Sequence, residues 1–267
     1  MSQDIVIEGV RPVRYIAIGP GSDQLIDGAI VDEVQACISV NGRELASYMC
    51  SPHDLAQLAH GFLFNEGLID SLEDIHHTRL NDNHCVDIWL KRDFTPPERT
   101  IITAGCGGGI TFADLSQRYE PLQTTFQVAP AELAELMRAM HGGALKYQAA
   151  RGIHTAALAD RDGILLQVED IGRHNCLDRL RGQLLVDGRD SAGQVLLSSG
   201  RISSEMINKA RRFAVPVVCS RTSPTSLSVA LAEAWGITIV AYLRQERMRV
   251  YTHPERISGL GLTMEQL

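Results

Sequence analysis

One cysteine in this chain has the setting of a reactive thiol. Cys106 stands in the segment Ala-Gly-Cys-Gly-Gly-Gly-Ile at residues 104–110. Glycines leave a thiol unshielded and let successive backbone N–H groups point at one spot, where they stabilise an anion. The thiolate, which is the nucleophilic form of cysteine, is favoured there. The alternative is a glycine-rich turn that holds a structural cysteine, although a buried cysteine does not need four glycines.

A second candidate site follows a predicted strand at residues 164–168. The sequence Glu-Asp-Ile-Gly-Arg-His-Asn at residues 169–175 opens a predicted helix, and the free N–H groups of a helix start bind phosphate. Arg173 and His174 add donors at the carboxyl end of a strand, where α/β proteins bind ligands. Helix capping by Asp170 beside a solvated arginine explains the same residues equally well.

Two further strand–loop–helix junctions carry similar residues. Ser198, Ser199, Gly200 and Arg201 follow one predicted strand, and Arg-Thr-Ser-Pro-Thr-Ser at residues 221–226, which includes Ser223, follows the next. Each junction alone is a capped turn. Three junctions with small hydroxyls and an arginine favour a phosphorylated ligand at one edge of the sheet.

Other common catalytic motifs are missing from the sequence. There is no Cys-x-x-Cys and no His-x-Glu combined with Pro-Cys-x-x-Cys, so we expect no deaminase-type zinc site and no bound metal. The sequence also lacks a Walker motif, a strand-linked Gly-x-Gly-x-x-Gly and a Gly-x-Ser-x-Gly elbow.

The overall charge argues against a general nucleic-acid binder. The 267 residues carry 25 Lys and Arg against 32 Asp and Glu, a formal net charge of −7, whereas nucleic-acid binding needs a basic surface. No apolar run approaches the ~18 residues of a membrane helix, and the first residues lack the pattern of a signal peptide. The six cysteines are dispersed, so we expect reduced, mostly buried thiols and a cytoplasmic location.

The first part of the chain predicts a small α+β unit. Residues 34–40 and 44–49 predict a β-hairpin around Asn41 and Gly42. Ser51 and Pro52 predict a helix start, with the serine as its cap, and Gly67 predicts its end. We place a domain boundary near residue 125, so that residues 1–125 form an N-terminal α+β domain with the glycine-rich segment.

The second part predicts an α/β domain at residues 126–267. Short apolar strands there alternate with helices, which implies βαβ crossovers and a mixed or parallel sheet. The predicted strands are residues 154–158, 164–168, 195–198, 215–219 and 237–243. The fold class is therefore α/β, or α+β when the whole chain is considered.

Several motifs together resemble the formate dehydrogenase accessory sulfurtransferases, the FdhD/NarQ family. The combination is specific, although each motif is weak alone. The matching segments, in family order, are residues 40–42, 51–55, 61–63 with 66–67, 103–109, 154–157, 169–175 with 178, 199–204 and 251–254.

The resemblance implies a sulfur carrier. Such a protein accepts sulfur as a cysteine persulfide from a cysteine desulfurase. It hands that sulfur to the bis-molybdopterin guanine dinucleotide form of the molybdenum cofactor before insertion into formate dehydrogenase. By position, Cys106 corresponds to the persulfide-bearing cysteine, while Gly109 stands where many members carry a second cysteine. The resemblance also implies a cytidine-deaminase-like C-terminal sheet without zinc.

The resemblance further implies where the cofactor binds. Residues 242–247 correspond to the segment associated with the molybdenum cofactor, and their two arginines suit a pyrophosphate. GDP is then a mimic of the nucleotide end. The residues predicted to bind the cofactor are Tyr242, Leu243, Arg244, Gln245, Glu246, Arg247, His154, Arg173, His174, Arg201 and Ser223.

Three interpretations stay open at this point. The first is a sulfurtransferase that uses Cys106. The second is a non-catalytic chaperone that binds the molybdenum cofactor for a molybdoenzyme, and the third is an unrelated nucleotide-binding enzyme. The expected partners are a cysteine desulfurase and formate dehydrogenase or another molybdoenzyme, without nucleic acid or membrane. A homodimer is left open.

Overall fold

The computed structural model describes residues 7–97, 101–102, 110–112 and 119–261, and its first element is a long two-stranded ribbon. Strands β1 (Val10–Gly19) and β2 (Ser22–Val31) pair antiparallel along their whole length. The ribbon forms a sheet of its own.

A four-stranded sheet follows, in the order β4-β3-β6-β5. Helix α1 (Leu55–Asn65) covers one face, and alternate strand residues such as Ile38 and Ile88 are fully buried beneath it. The hairpin predicted around Asn41 is confirmed. The strands are β3 (Val34–Val40), β4 (Arg43–Cys50), β5 (Ile75–Leu80) and β6 (Cys85–Leu90).

The predicted start of the first helix is wrong. Helix α1 begins at Leu55, after Asp54 with a left-handed φ of 46°, and no side chain caps it. Ser51 is instead held by distant residues: its N–H donates to Asp170 Oδ2 at 3.2 Å, and its carbonyl accepts from Arg179 Nη2 at 2.7 Å. The predicted end is confirmed, since Gly67 follows the helix with a φ of 74°.

The second large sheet has six strands in the order β10-β9-β11-β12-β13-β14. The pairs β11–β12 and β12–β13 are parallel, and the other pairs are antiparallel. Strands β10 to β13 therefore all end at the same edge, where β9 begins. The strands are β9 (His154–Asp160), β10 (Gly163–Asp170), β11 (Val195–Ser198), β12 (Val217–Ser220), β13 (Thr238–Arg244) and β14 (Arg247–Val250).

Helices cover both faces of this sheet, which confirms the predicted α/β class. Three helices bury one face around Leu177, Met206 and Trp235, and one helix buries the other around Leu136. The expected likeness to cytidine deaminases stays a prediction. The helices are α2 (Pro130–Gly142) on one side, α4 (Arg173–Asp187), α5 (Ser204–Arg212) and α6 (Ser226–Ala234) on the other, and the short α3 (Leu145–Ala150).

Two glycines let the two sheet units approach closely through α1 and α4. A Cβ on Gly61 would lie 1.8 Å from the carbonyl oxygen of Asp178, and a Cβ on Gly182 would lie 1.8 Å from that of Gln57. Only residues without a side chain allow this contact between helix backbones. The boundary predicted near residue 125 stays a prediction, although Leu122 N and Val128 N already bond to carbonyls of Trp235 and Arg256.

The expectation of reduced thiols is wrong for Cys37 and Cys85, which form a disulfide. They are 48 residues apart, but parallel pairing of β3 with β6 places them opposite each other with Cα atoms 4.5 Å apart. In the described part of the chain, no helix is long and apolar enough to cross a membrane.

Candidate functional site

The main cavity lies at the sheet edge where β10 to β13 end. It has a volume of about 580 Å³ and is called the strand-end cavity below. Polar side chains from four different strand ends and two helices face it. They are His141, Tyr147, His154, Ser199, Arg221, Thr222 and Arg244.

Hydrogen bonds tie the strand-end loops to one another. Ser220 Oγ donates to the carbonyl of Gly200 at 2.6 Å, and Tyr242 N donates to that of Thr222 at 3.1 Å. A Cβ on Gly200 would lie 2.9 Å from Arg173 Cβ, so this glycine lets the first two junctions pack together. The three junctions predicted to cooperate are therefore neighbours.

His154 is tied to the end of β11 at this cavity. Ser199 Oγ accepts from Thr155 N at 3.0 Å and lies within hydrogen-bond distance of His154 Nδ1, at 3.2 Å. Burial, and then Arg173, lower the pKa of His154. The ring is therefore neutral near pH 7, with one donor and one acceptor nitrogen.

His141 and Arg221 are in direct contact across the same cavity. Arg221 Nη1 donates to a ring nitrogen of His141, and burial together with Arg221 lowers the pKa of His141. A neutral His141 thus accepts from the guanidinium and holds it in place. Sequence reasoning missed His141 and Tyr147, because α2 and α3 reach the strand ends only in the folded chain.

The predicted cofactor segment 242–247 spans the end of β13, the tight turn after it and the first residue of β14. Arg244 is its one member that lines the strand-end cavity. Gln245 and Arg247 line two neighbouring grooves of about 360 and 560 Å³. Glu246 lines the second of these grooves, and Leu243 is fully buried in the core. The ring of Tyr242 lies 4.3 Å below the guanidinium of Arg249.

A side groove of about 540 Å³ continues from the cavity and shares His141, Arg221 and Arg244 with it. Arg138, one turn before His141 on α2, adds a further guanidinium to this side groove. Sequence analysis did not single out Arg138, although the spacing of Arg138 and His141 places both on one helix face. The result is a concentration of arginines around a concave surface, which suits phosphate groups.

A second, much smaller cavity of about 30 Å³ lies near the start of α4. It is lined by His174, Asp178 and Lys209, together with Thr111 and Glu205. Lys209 Nζ contacts both carboxylate oxygens of Asp178 at 2.6 Å. This small cavity holds at most one or two water-sized molecules.

His174 belongs to the small cavity and not to the strand-end cavity. Its Nε2 lies 3.2 Å from both Ser203 Oγ and Glu205 Oε2. Burial, followed by the nearby Lys209, lowers the pKa of His174 to about 2, so the ring is neutral and its contact with Glu205 is a hydrogen bond.

The remaining predicted residues are spread around the junctions. Arg173 is buried against Gly200, in contrast to a solvated arginine. Arg201 is exposed, and Ser223 contributes its carbonyl to Ile202 N at 3.1 Å. None of these three side chains is among the described residues that line the two cavities.

Cys106 and its glycines lie outside the described residues, so its predicted role stays a prediction. The chain on either side is described: β7 (Ile101–Ile102) pairs antiparallel with β8 (Ile110–Thr111). Thr111 Oγ1 donates to Glu66 Oε2 at 2.8 Å, and Phe112 N donates to the same oxygen at 2.7 Å. The hairpin base is thereby fixed at the end of α1, beside the small cavity.

The free thiols that the structure describes are poor nucleophiles. Cys50, Cys176 and Cys219 are buried, and burial raises the pKa of each, to about 12 for Cys50. Thiolate formation is therefore suppressed at all three. Within the described residues, no three His, Cys, Asp or Glu side chains are grouped so that they could hold a metal ion.

Comparison with known proteins agrees with this arrangement. The model of the FdhD/NarQ family matches residues 31–258. This range includes the four-stranded sheet, the six-stranded sheet, the strand-end cavity and the small cavity. The chain belongs to the FdhD/NarQ family. The resemblance noted in the sequence is therefore confirmed.

Individual members of the FdhD/NarQ family match most of the chain. The sulfur carrier protein FdhD of Shouchella clausii is 34% identical over 89% of this chain and 92% of its own length, and that of Bacillus subtilis is 33% identical over 89% and 93%. A crystal structure from Desulfotalea psychrophila, described as a formate dehydrogenase accessory protein, aligns with a TM-score of 0.77 and 29% identity. That alignment covers 93% of this chain and 99% of the other.

Proposed function

We propose that this protein is a sulfur carrier that serves the maturation of formate dehydrogenase or a related molybdoenzyme. Membership of the FdhD/NarQ family carries this proposal, because relatives that match about nine tenths of the chain bear the name sulfur carrier protein. The proposed sulfur-bearing residue is Cys106. The described free cysteines are buried with raised pKa values, which leaves them unsuited to the task.

The proposed first step is transfer of sulfur from a cysteine desulfurase. The thiolate of Cys106 attacks the outer sulfur of the donor's persulfide, and the donor cysteine leaves as a thiolate. Cys106 stands four residues after Ile102 and four before Ile110 in the sequence. Beyond Ile110, Thr111 and Phe112 are held by Glu66 next to the small cavity.

The proposed recipient is the bis-molybdopterin guanine dinucleotide cofactor, held as substrate in the strand-end cavity. Arg221 and Arg244 there, with Arg138 in the side groove, match the charge of a pyrophosphate. His154 adds a neutral ring that can form a hydrogen bond with the ligand. Delivery of the sulfur as sulfide requires two electrons, which we assign to a thiol reductant.

Restoration of activity in a strain that lacks its own sulfur carrier distinguishes this proposal from a non-catalytic chaperone. A sulfur carrier requires Cys106, so Cys106→Ala should leave formate dehydrogenase inactive while binding GDP like the unchanged protein. Cys176→Ala is the matched control, since Cys176 is buried and should be dispensable. Full activity with Cys106→Ala would favour the chaperone and contradict the sulfur-carrier proposal.

A further inference from the structure

The disulfide between Cys37 and Cys85 differs in setting from the other described cysteines. Those cysteines, Cys50, Cys176 and Cys219, are buried free thiols. Disulfides are needed for stability chiefly in small domains that lack a sufficient hydrophobic core. The sheet that carries this disulfide already has a continuous core against α1, which indicates that the bond has a role other than replacing a core.

The disulfide lies on the face of the four-stranded sheet that points away from α1. Side chains alternate between the two faces of a strand, and the next residues, Ile38 and Val86, are fully buried in the core formed with α1. Cys37 and Cys85 are only partly buried, and Trp89, on the same face of β6, is 47% exposed. A small thiol in solution can therefore approach this bond.

The parallel pairing of β3 with β6 holds the two cysteines in position to bond. Cys37 lies directly opposite Cys85 in the strand register. Their Cα atoms are 4.5 Å apart, which is within the usual range for disulfides and close to the spacing of neighbouring strands. Because the strands alone set this distance, the bond can open and close without a rearrangement of the backbone.

The bond also joins two hairpins along a short seam. Strands β3 and β4 form one hairpin and β5 and β6 the other. The hairpins meet where residues 37–40 of β3 pair with residues 85–88 of β6, and this pairing is called the seam below. Parallel pairing is slightly less stable per residue than antiparallel pairing. A covalent bond at the first pair of the seam therefore limits its opening.

We propose that Cys37 and Cys85 are a redox-active pair that thiol reductants open and disulfide oxidants close. The oxidised pair holds the seam of the N-terminal sheet together, and the reduced pair leaves it held by backbone hydrogen bonds and the core. The proposal does not rest on sulfur transfer at Cys106, so either can fail without the other.

The chemistry of the pair is thiol–disulfide exchange with a two-electron reductant. A thiolate such as that of glutathione attacks one sulfur of the bond, forms a mixed disulfide with it and releases the other cysteine as a thiolate, which takes up a proton from water. A second glutathione thiolate then attacks the mixed disulfide, which frees the remaining cysteine and leaves glutathione disulfide. Closing the bond is the reverse, in which glutathione disulfide accepts the two electrons.

Equilibration of the folded protein with a series of ratios of reduced to oxidised glutathione tests the pair. Acid quenching, alkylation in denaturant and peptide mass spectrometry then give the thiol fraction of each cysteine. Cys37 and Cys85 should change together in one two-electron transition, whereas Cys50, Cys176 and Cys219 should be thiols at every ratio. A bond that glutathione cannot open is a permanent structural disulfide, and a pair that glutathione disulfide cannot close is two ordinary thiols. Either result would overturn the proposal.

Hydrogen exchange measures the effect of the pair on the seam. Backbone amides of residues 37–40 and 85–88 should exchange severalfold faster in the reduced protein than in the oxidised protein. The double variant Cys37→Ala, Cys85→Ala should exchange at the faster rate under both conditions. Cys85→Ser provides the same comparison if the double variant does not fold.

The matched control is Cys50→Ala, which removes a free thiol at the end of β4 in the same sheet. This variant should keep the difference between the oxidised and the reduced protein. Equal exchange of the seam in both redox states of the unchanged protein would show that the bond does not hold the hairpins together, and would overturn the proposal.

Discussion

Arg179 Nε donates to Asp170 Oδ2 at 2.8 Å, and the two side chains are only 2% and 0% exposed. The same guanidinium donates to the carbonyls of Ser51 and His53, and the same carboxylate accepts from Ser51 N. This pair holds the loop before α1 against the start of α4. It thereby links the N-terminal sheet to the edge at which the strand-end cavity lies.

Replacement of Arg179 by Met should destabilise the protein strongly. The variant leaves the carboxylate of Asp170 buried without its charged partner, and breaking such a pair costs about 3–5 kcal/mol. Urea unfolding followed by circular dichroism measures the change. The double variant Asp170→Leu, Arg179→Met should lose less than the two single variants added together, and an unchanged midpoint for Arg179→Met would contradict this role of the pair.

The contacts of Asp170 and Arg179 with Ser51 show that local sequence patterns do not predict structure that depends on residues distant in the chain. Alternating strands and helices predicted the second sheet and its strand-end junctions correctly, because hydrophobic periodicity reflects burial. Ser51 and Pro52 have the pattern of a helix start, yet contacts to residues more than 100 positions away hold them in a loop. The Cys37–Cys85 disulfide and the contribution of α3 to the cavity depend on tertiary packing in the same way.

The close contact of α1 with α4 predicts a sharp difference between two glycine substitutions. Gly182→Ala should cost about 1–3 kcal/mol or more, because the added methyl group would meet the backbone of Gln57 and force the helices apart. Gly142→Ala is the control, since a Cβ there meets nothing within 4 Å and alanine favours the helix. Thermal unfolding should give Gly182→Ala a clearly lower midpoint temperature than Gly142→Ala. Equal midpoint temperatures would show that α1 and α4 have room for the added methyl group.

The arginines of the strand-end cavity should determine nucleotide affinity. Arg244→Ala and Arg221→Ala should each weaken GDP binding by about tenfold or more, because a charged hydrogen bond contributes about 1.5–3 kcal/mol. Arg247→Ala should have a smaller effect, since Arg247 lines two neighbouring grooves and not the strand-end cavity. Calorimetry with GDP measures all three, with the exposed Arg189→Ala as control. Equal losses of GDP affinity in Arg189→Ala and Arg244→Ala would show that the strand-end cavity does not bind the nucleotide.

Buried neutral histidines should make stability depend on pH. Burial, with Arg179 and Lys146, lowers the pKa of His53 to about 3, from an ordinary 6.5. Below pH 6.5 the His53 ring binds a proton in the unfolded chain but stays neutral in the folded chain. The free energy of unfolding therefore falls as the pH falls from 6.5 towards 3. Each such histidine costs about 1.4 kcal/mol per pH unit in this window.

Urea unfolding at pH 7, 6 and 5 tests this dependence. His174, with a pKa of about 2, should add to the same loss. His53→Asn should reduce the slope by about one proton, whereas His76→Asn, at an exposed position, should leave it unchanged. A stability that is constant from pH 7 to pH 5 would mean that these rings can be charged in the folded protein.

The most direct test of the sulfur-carrier account is the mass of the peptide that contains Cys106 after incubation with a cysteine desulfurase and free cysteine. We predict that this peptide gains one sulfur atom, that a thiol reductant removes it, and that peptides with Cys50, Cys176 and Cys219 gain none. Cys106→Ala should abolish the gain without changing the fold. A Cys106→Ala protein that still accepts sulfur at the normal rate would contradict the account.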